Sequence, residues 1–387
     1  LAWGDIDGDG DLDLATGGVE TPVRLYRNGG TTLTTTAIWS SQETGTASGL
    51  AWGDYDFDGD LDLALGAQLY TNQNGVLSHI AIWSGEDRSH CAIGWGDYDN
   101  DGDLDLVVGT DLEQLLVFRN NNGTLTEEAI WSTTADYGIS SVVWGDVDND
   151  GDLDLAVSIY KPFDGSGAIR LYRNNTGLLT SDAVWTSTEN DQTTSIAWGD
   201  VDGDGDLDLA AGNSAQPARL YRNNNGTLSP SAIWFSGEAN IARGIAWGDY
   251  DNDGDLDLVG ATYDASLLTD YGQDFLSSGN AGVYYYENRD RDFHLNTLAT
   301  KAQALALILL DLNDDKQLDI WVGNDFALPD YAWYWTDSGW QPVNGLASMS
   351  HSTMSLDVGD VQNDGRMEIF ASDMKPYDPT NPTVAQA

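Results

Sequence analysis

Asp5-Ile6-Asp7-Gly8-Asp9-Gly10-Asp11-Leu12-Asp13 puts five carboxylates into nine residues, with Asp at every odd position and Gly at the sixth. Carboxylates packed so densely repel one another unless a cation sits between them. The pattern matches the front half of the D-x-[DN]-x-[DN]-G loop, in which alternate side chains point inward and Gly makes a sharp turn. It closes with Asp at the ninth position and not with Glu at the twelfth. Hard oxygen donors without His or Cys select Ca2+ over zinc or copper.

The stretch recurs eight times, with loops beginning at Asp5, Asp54, Asp97, Asp146, Asp200, Asp249, Asp311 and Asp360. The candidate metal-binding residues are therefore Asp5, Asp7, Asp9, Asp11 and Asp13; Asp54, Asp56, Asp58, Asp60 and Asp62; Asp97, Asp99, Asp101, Asp103 and Asp105; Asp146, Asp148, Asp150, Asp152 and Asp154; Asp200, Asp202, Asp204, Asp206 and Asp208; and Asp249, Asp251, Asp253, Asp255 and Asp257. The seventh loop supplies Asp311, Asn313, Asp315, Gln317 and Asp319, and has Lys316 in place of the Gly. The eighth supplies Asp360, Gln362, Asp364, Arg366 and Glu368. Lys316 strains a left-handed turn and brings a cation near the metal. The last two loops are thus expected to bind calcium more weakly than the first six.

Loop starts are separated by 49, 43, 49, 54, 49, 62 and 49 residues, a period that points to a propeller or another repeat array. Each unit begins with a short apolar strand ending in Trp-Gly-Asp, as in Gly49-Leu-Ala-Trp52-Gly-Asp54. After the acidic loop come a second apolar strand, a third such as Ala218-Arg-Leu-Tyr-Arg-Asn223, an Asn-Gly turn, and a fourth ending in Ala-Ile-Trp or close to it. Four short strands per unit, with Gly and Asn turns and no helical period, describe an all-β propeller blade. The run Ala302–Leu310 reads as the first strand of the seventh unit. The repeated Trp residues are read as core rings between blades. Eight loops favour eight blades with the last incomplete; seven blades with a loose eighth hairpin is the alternative. The propeller spans residues 1–373, and the Pro/Thr-rich stretch 374–387 reads as a tail or linker.

Sixteen Lys and Arg against 63 Asp and Glu give a net charge of −47. This argues against nucleic acid or an anionic membrane as partner. The first six loops hold 30 of the acidic residues, so the charge is mainly that of the loops. Cys91 is the only cysteine, which leaves packing and metal to stabilise the chain. No stretch has the apolar length of a membrane span. The abrupt start inside a repeat reads as a fragment or mature segment of a longer parent. Weak acidic calcium sites fill outside cells, which points to an extracellular or cell-surface setting.

The repeated Trp-Gly-Asp-x-Asp-x-Asp-Gly-Asp-Leu-Asp-Leu-Ala unit resembles the FG-GAP/VCBS repeat family, which includes integrin alpha heads and propeller lectins. The resemblance covers the chain from Leu1 to about Asp373. It implies that each loop joins the first and second strands of a blade and binds one Ca2+, up to eight in all. It also implies side-chain ligation by Asp5, Asp7, Asp9 and Asp13, with Asp11 contributing its backbone carbonyl, and likewise through the sixth loop. Ligand contacts in the family lie on the opposite face. Three connections between second and third strands there are long, at 158–167, 263–282 and 323–331. Aromatic residues in and beside them are the candidate ligand contacts: Tyr160, Phe163, Tyr263, Tyr271, Phe275, Phe326, Tyr331 and Trp333. Rings beside carboxylates and amides suit sugars. The leading expectation is a calcium-binding extracellular module for a carbohydrate or protein partner. A structural spacer or surface-layer component is the alternative, and a polysaccharide lyase is a second one. Catalysis is poorly supported: His79, His90, His294 and His351 stand in unrelated settings, and Lys161 and Arg243 are the only basic groups placed near that face.

Overall fold

The computed structural model describes residues 2–9, 12–18, 21–29, 33–42, 49–85, 92–110, 114–134, 138–161, 167–213, 216–236, 242–251, 253–262, 282–289, 292–313, 315–324, 328–336, 338–343, 353–359 and 368–373. Everything regular in them is β-strand. The strands form seven four-stranded antiparallel sheets and one two-stranded sheet, each taken up in sequence order. The chain is a β-propeller.

The fourth unit shows the pattern: β13 (Gly138–Gly145), β14 (Asp154–Tyr160), β15 (Gly167–Tyr172) and β16 (Trp185–Thr186). The other first strands are β1 (Ala2–Gly4), β5 (Leu50–Gly53), β9 (Ala92–Gly96), β17 (Thr193–Gly199), β21 (Ala242–Gly248), β25 (Ala304–Leu310) and β29 (Thr353–Gly359). Each first strand lies against the next, and β29 lies against both β25 and β1. Among the described residues the eight first strands therefore follow one another around a ring, which is consistent with the eight blades favoured by the eight loops. Among the described residues, the eighth sheet holds only β29 and β30 (Glu368–Asp373). The run Ala304–Leu310 is the seventh first strand, as its sequence indicates.

Register is the same throughout. The residue before each acidic loop pairs with the loop's ninth residue: Gly4 with Asp13, Gly145 with Asp154, Leu310 with Asp319, Gly359 with Glu368. Apolar residues at the loops' second position (Ile6, Tyr55, Tyr98, Val147, Val201 and Tyr250) turn inward and are buried. Third and fourth strands meet at Asn-Gly turns in which both residues have positive φ, as at Asn74–Gly75, Asn122–Gly123 and Asn225–Gly226. In the fourth unit Thr176 stands at the Asn position with φ 52°.

Two sets of Trp residues join the blades. Five of the six Trp-Gly-Asp Trp residues lie on the corresponding Gly of the preceding blade: Trp52 on Gly4, Trp95 on Gly53, Trp144 on Gly96, Trp198 on Gly145, Trp247 on Gly199. Only a residue without Cβ admits the ring, since a Cβ on Gly96 would lie 2.8 Å from Trp144 Cδ1. The outer Trp residues meet the next blade's third-strand ring edge-on: Trp39 with Tyr70, Trp83 with Phe118, Trp131 with Tyr172, Trp185 with Tyr221, Trp234 with Tyr286. Such pairs contribute roughly 0.5–1.5 kcal/mol beyond area burial. Trp39, Trp83 and Trp185 also donate their indole N–H to backbone carbonyls there. The core-ring reading of these Trp residues agrees with this packing. The fourth strand, however, begins at this Trp and does not end there, as in Trp39–Ser40 and Trp83–Ser84. Ile38 and Ile82 precede it, exposed.

Gly96→Ala should lower stability by about 1–3 kcal/mol through overpacking against Trp144. Thr176→Asn should raise it by about 1 kcal/mol by relieving a β-branched residue at positive φ. Denaturant midpoints of the two variants check both signs.

Candidate metal loops and the opposite face

Each acidic loop is built on its ninth residue. Asp13, Asp62, Asp105, Asp154, Asp208, Asp257 and Asp319 are all buried. In the fourth unit, Asp154 Oδ2 accepts from Val147 N at 3.2 Å, and Oδ1 from Asn174 N at 2.7 Å. The same two bonds hold Asp62 (from Tyr55 and Asn72), Asp105 (Tyr98 and Asn120) and Asp208 (Val201 and Asn223). The Asn side chain then reaches back one blade. Asn120 Nδ2 donates to Tyr55 O at 2.6 Å, and Asn223 Nδ2 to Val147 O at 2.7 Å. Burial raises the ninth-position pKa against the opposing pull of the backbone N–H groups. It reaches about 7 at Asp62, Asp105 and Asp257, and about 6 at Asp13, Asp154, Asp208 and Asp319.

The first, third and fifth residues make the cup. The first carboxylate caps the turn: Asp146 Oδ1 accepts from Asp150 N and Oδ2 from Gly151 N, both at 3.0 Å. The fifth accepts from the seventh N–H, as Asp150 Oδ1 does from Asp152 N at 3.0 Å. Oxygens of Asp54, Asp56 and Asp58, of Asp97, Asp99 and Asp101, and of Asp146, Asp148 and Asp150 lie within 4.8 Å of one another. Asp5, Asp7 and Asp13, and Asp200, Asp202 and Asp208, form like groups through their ninth residue. Burial, more than the neighbouring carboxylates, raises the pKa of Asp56, Asp99, Asp148 and Asp251.

These residues fit a hard divalent cation. The donors are all oxygen. Oδ1 of Asp7, Asp54, Asp99 and Asp148 is buried and receives no hydrogen bond. A buried carboxylate oxygen without a donor is costly unless a cation completes it.

The seventh carboxylate has another task. Asp60, Asp103, Asp152 and Asp206 each accept, through Oδ2, the N–H of the first residue of the positive-φ pair in the third-to-fourth turn, at 2.5–2.6 Å. Oδ1 of Asp152 and of Asp206 accepts from Asn100 Nδ2 and Asn149 Nδ2 of the preceding blade's loop. Its backbone carbonyl is the group left for a cation. The sequence pattern does not reveal this clamp, because its partner is a turn formed 14 to 24 residues later.

A family model described as an FG-GAP-like repeat matches residues 5–65, 97–157, 159–211 and 201–260, more than half of the chain. The chain belongs to the FG-GAP-like repeat family. Among solved structures, the fold is similar to Saccharomyces cerevisiae Sqt1, with a TM-score of 0.59 and 12% identity over 96% of this chain and 92% of that one. It is also similar to BBS1N in complex with ARL6DN, with a TM-score of 0.50 and 13% identity over 84% of this chain and 88% of that one. At these identities the likeness concerns the fold alone. No curated protein sequence matches the chain.

None of the FG-GAP matches reaches the seventh loop, where the pattern changes. Lys316 takes the Gly position with φ 70°, the left-handed turn expected of it, and its N–H caps Asp311 Oδ2 at 2.7 Å. Trp335 replaces the third-strand Asn, and its N–H bonds Asp319 Oδ1 at 2.9 Å. Trp335, Trp340, Tyr250 and Tyr285 fill the junction with rings where the other units use Asn. Asp11, Asp360, Gln362, Asp364 and Arg366 lie outside the described residues, and of Glu368 only the backbone pairing is described.

Of the candidate ligand contacts, Phe163, Tyr263, Tyr271, Phe275 and Phe326 lie outside the described residues, as do His90, Cys91 and His351. The connection at 158–167 is shorter than its sequence suggests, because β14 runs on to Tyr160. The Tyr160 ring there covers Gly138. Trp333 pairs with Ile320, the register position filled elsewhere by a core Tyr or Phe, and is buried. Tyr331 and Trp333 nonetheless line one cavity of about 670 Å3, between β24 (Asp292–Ala299) and β27 (Tyr331–Tyr334). Thr300, Lys301, Asp330, Trp340 and Pro342 complete much of its wall.

The raised ninth-position pKa values predict a pH dependence in chelator. A carboxyl whose folded pKa lies above its ordinary value near 3.9 stabilises the fold below that value and loses this contribution as pH rises through 6–7. The cation-free melting temperature should fall between pH 5 and pH 8. A divalent cation bound in the cup would shrink the fall by holding these carboxylates ionised. Melting curves across that range, with and without chelator, check it.

Proposed function

We propose that this propeller is a calcium-binding extracellular module that captures a carbohydrate or protein partner on the face opposite its acidic loops. The observation that carries the calcium reading is the recurrence of a buried, donor-less carboxylate oxygen in one blade after another. The cation would be held by the first, third, fifth and ninth side chains and the seventh carbonyl. It would neutralise the cup and lock each hairpin to its neighbours.

The ligand reading rests on the cavity beside β27. Tyr331, Trp333 and Trp340 provide ring surface, and Lys301 and Asp330 provide charged groups at its wall. Few charged groups on an aromatic wall suit a hydroxyl-rich or peptide ligand. BBS1N, of similar fold, was solved with a protein partner. The role we propose is a non-catalytic one; of the described His, His79 is stacked on Trp39, and His294 faces solvent beside Asp292.

Metal that binds only the folded state stabilises it by about 2.7 kcal/mol per site at a hundredfold excess over Kd. Excess chelator should therefore lower the melting temperature sharply, more so at low salt, where repulsion is less screened. An unchanged melt would remove the calcium reading. A glycan array in millimolar calcium tests the partner. Defined binding that falls at least tenfold in Tyr331→Ala, with an unchanged melt, would support a carbohydrate ligand. A blank array with folded, calcium-loaded protein would favour a protein partner.

A further inference from the structure

The third strand of four blades is followed directly by an Arg that points into the blade's own acidic loop. Arg27 Nε lies 3.1 Å from Asp7 Oδ2, and Arg119 Nη2 lies 2.5 Å from Asp99 Oδ2. Arg173 Nη1 lies 2.7 Å from Asp148 Oδ2 and 2.9 Å from Asp154 Oδ2, and Arg222 pairs with Asp202. In the second and sixth blades the same position holds Thr71 and Glu287.

The division of oxygens is consistent. Arg takes Oδ2 of Asp7, Asp99 and Asp148, while Oδ1 of each stays buried without a hydrogen bond. The Asp99 side chain is only 7% exposed. Arg27 and Arg173 also donate to Gly75 O and Gly226 O in the next blade's turn. Each thus ties its own loop to the neighbouring blade without any metal.

We propose that the propeller carries two classes of calcium loop. The first, third, fourth and fifth hold a built-in Arg counter-cation and bind calcium weakly; the second and sixth lack it and bind tightly. This rests on the calcium reading above. Two effects of the Arg oppose one another. Holding one Asp rotamer favours binding by at most about tenfold. A guanidinium contacting a ligand carboxylate stands roughly 5 Å from a divalent ion, and that repulsion disfavours binding by about a hundredfold. Repulsion therefore wins. The Arg loops keep their shape when empty, and the Thr71 and Glu287 loops depend on the ion.

Calorimetric calcium titration of the full chain tests this. The wild type should show a tight step of two ions, at least about tenfold tighter than the rest. Arg173→Thr should move a third ion into the tight step and lower the melting temperature in chelator. Arg173→Lys, which keeps the charge, should leave the step at two. Thr71→Arg, which keeps the backbone bond from Ser78 N to Thr71 O, should reduce it to one. A single class of sites, or a tight step unchanged in both Arg173→Thr and Thr71→Arg, would overturn the two classes while leaving calcium binding intact. No calcium uptake at all would overturn the calcium reading and the two classes with it.

Discussion

One buried carboxylate in each of the first seven blades holds the architecture together. The ninth Asp of each loop sits where the acidic hairpin enters the second strand, and its two oxygens draw in the start of the loop and the end of the third strand. An isolated buried carboxylate would be prohibitive. Here it is the hub for two backbone N–H groups, and the Asn bonded to it reaches the preceding blade's loop. The acidic loops are therefore part of the ring's framework.

The seventh blade shows which parts of this hub are essential. It has Leu309 and Leu310 where the first six have Trp and Gly, and Trp335 where they have Asn. Yet Leu310 still pairs with Asp319, and Asp319 still collects its two N–H groups. Backbone register and the ninth carboxylate persist. The polar tie to the neighbouring blade is replaced by the rings of Tyr250, Tyr285, Trp335 and Trp340. A blade junction can be sealed by hydrogen bonds or by aromatic packing, provided the hairpin geometry is kept.

The strands, their order and the acidic loops were legible in the sequence because all are local: a period, an alternation, a turn pair. Partners across blades were not. The Trp-Gly-Asp motif marks a packed ring, but that Trp144 needs Gly96 depends on where the preceding blade lies. The family resemblance assigned the seventh-position Asp a backbone carbonyl only, and it could not show that a turn formed later in the chain claims its side chain. The recurrence of Arg before the third-strand Asn was visible in Arg27, Arg119, Arg173 and Arg222. Its meaning required seeing that the residue points at the cup. Trp333 read as a ligand contact because it stands among aromatic residues beside a long loop; register makes it a core residue first and a cavity wall second.

The outermost strands of the first, second, fourth and fifth blades are only two residues long, and each is preceded by an exposed Ile or Val. A free sheet edge ordinarily invites another chain to add a strand, and apolar side chains beside it would strengthen the invitation. Two residues offer too few main-chain groups for such an addition to hold. At these four blades the perimeter is thus apolar without being a template for polymerisation, whereas β24 of the sixth blade, eight residues long with Leu295 exposed, is a long outer edge. Copies that met through the four short edges could lie side by side and still remain separate molecules.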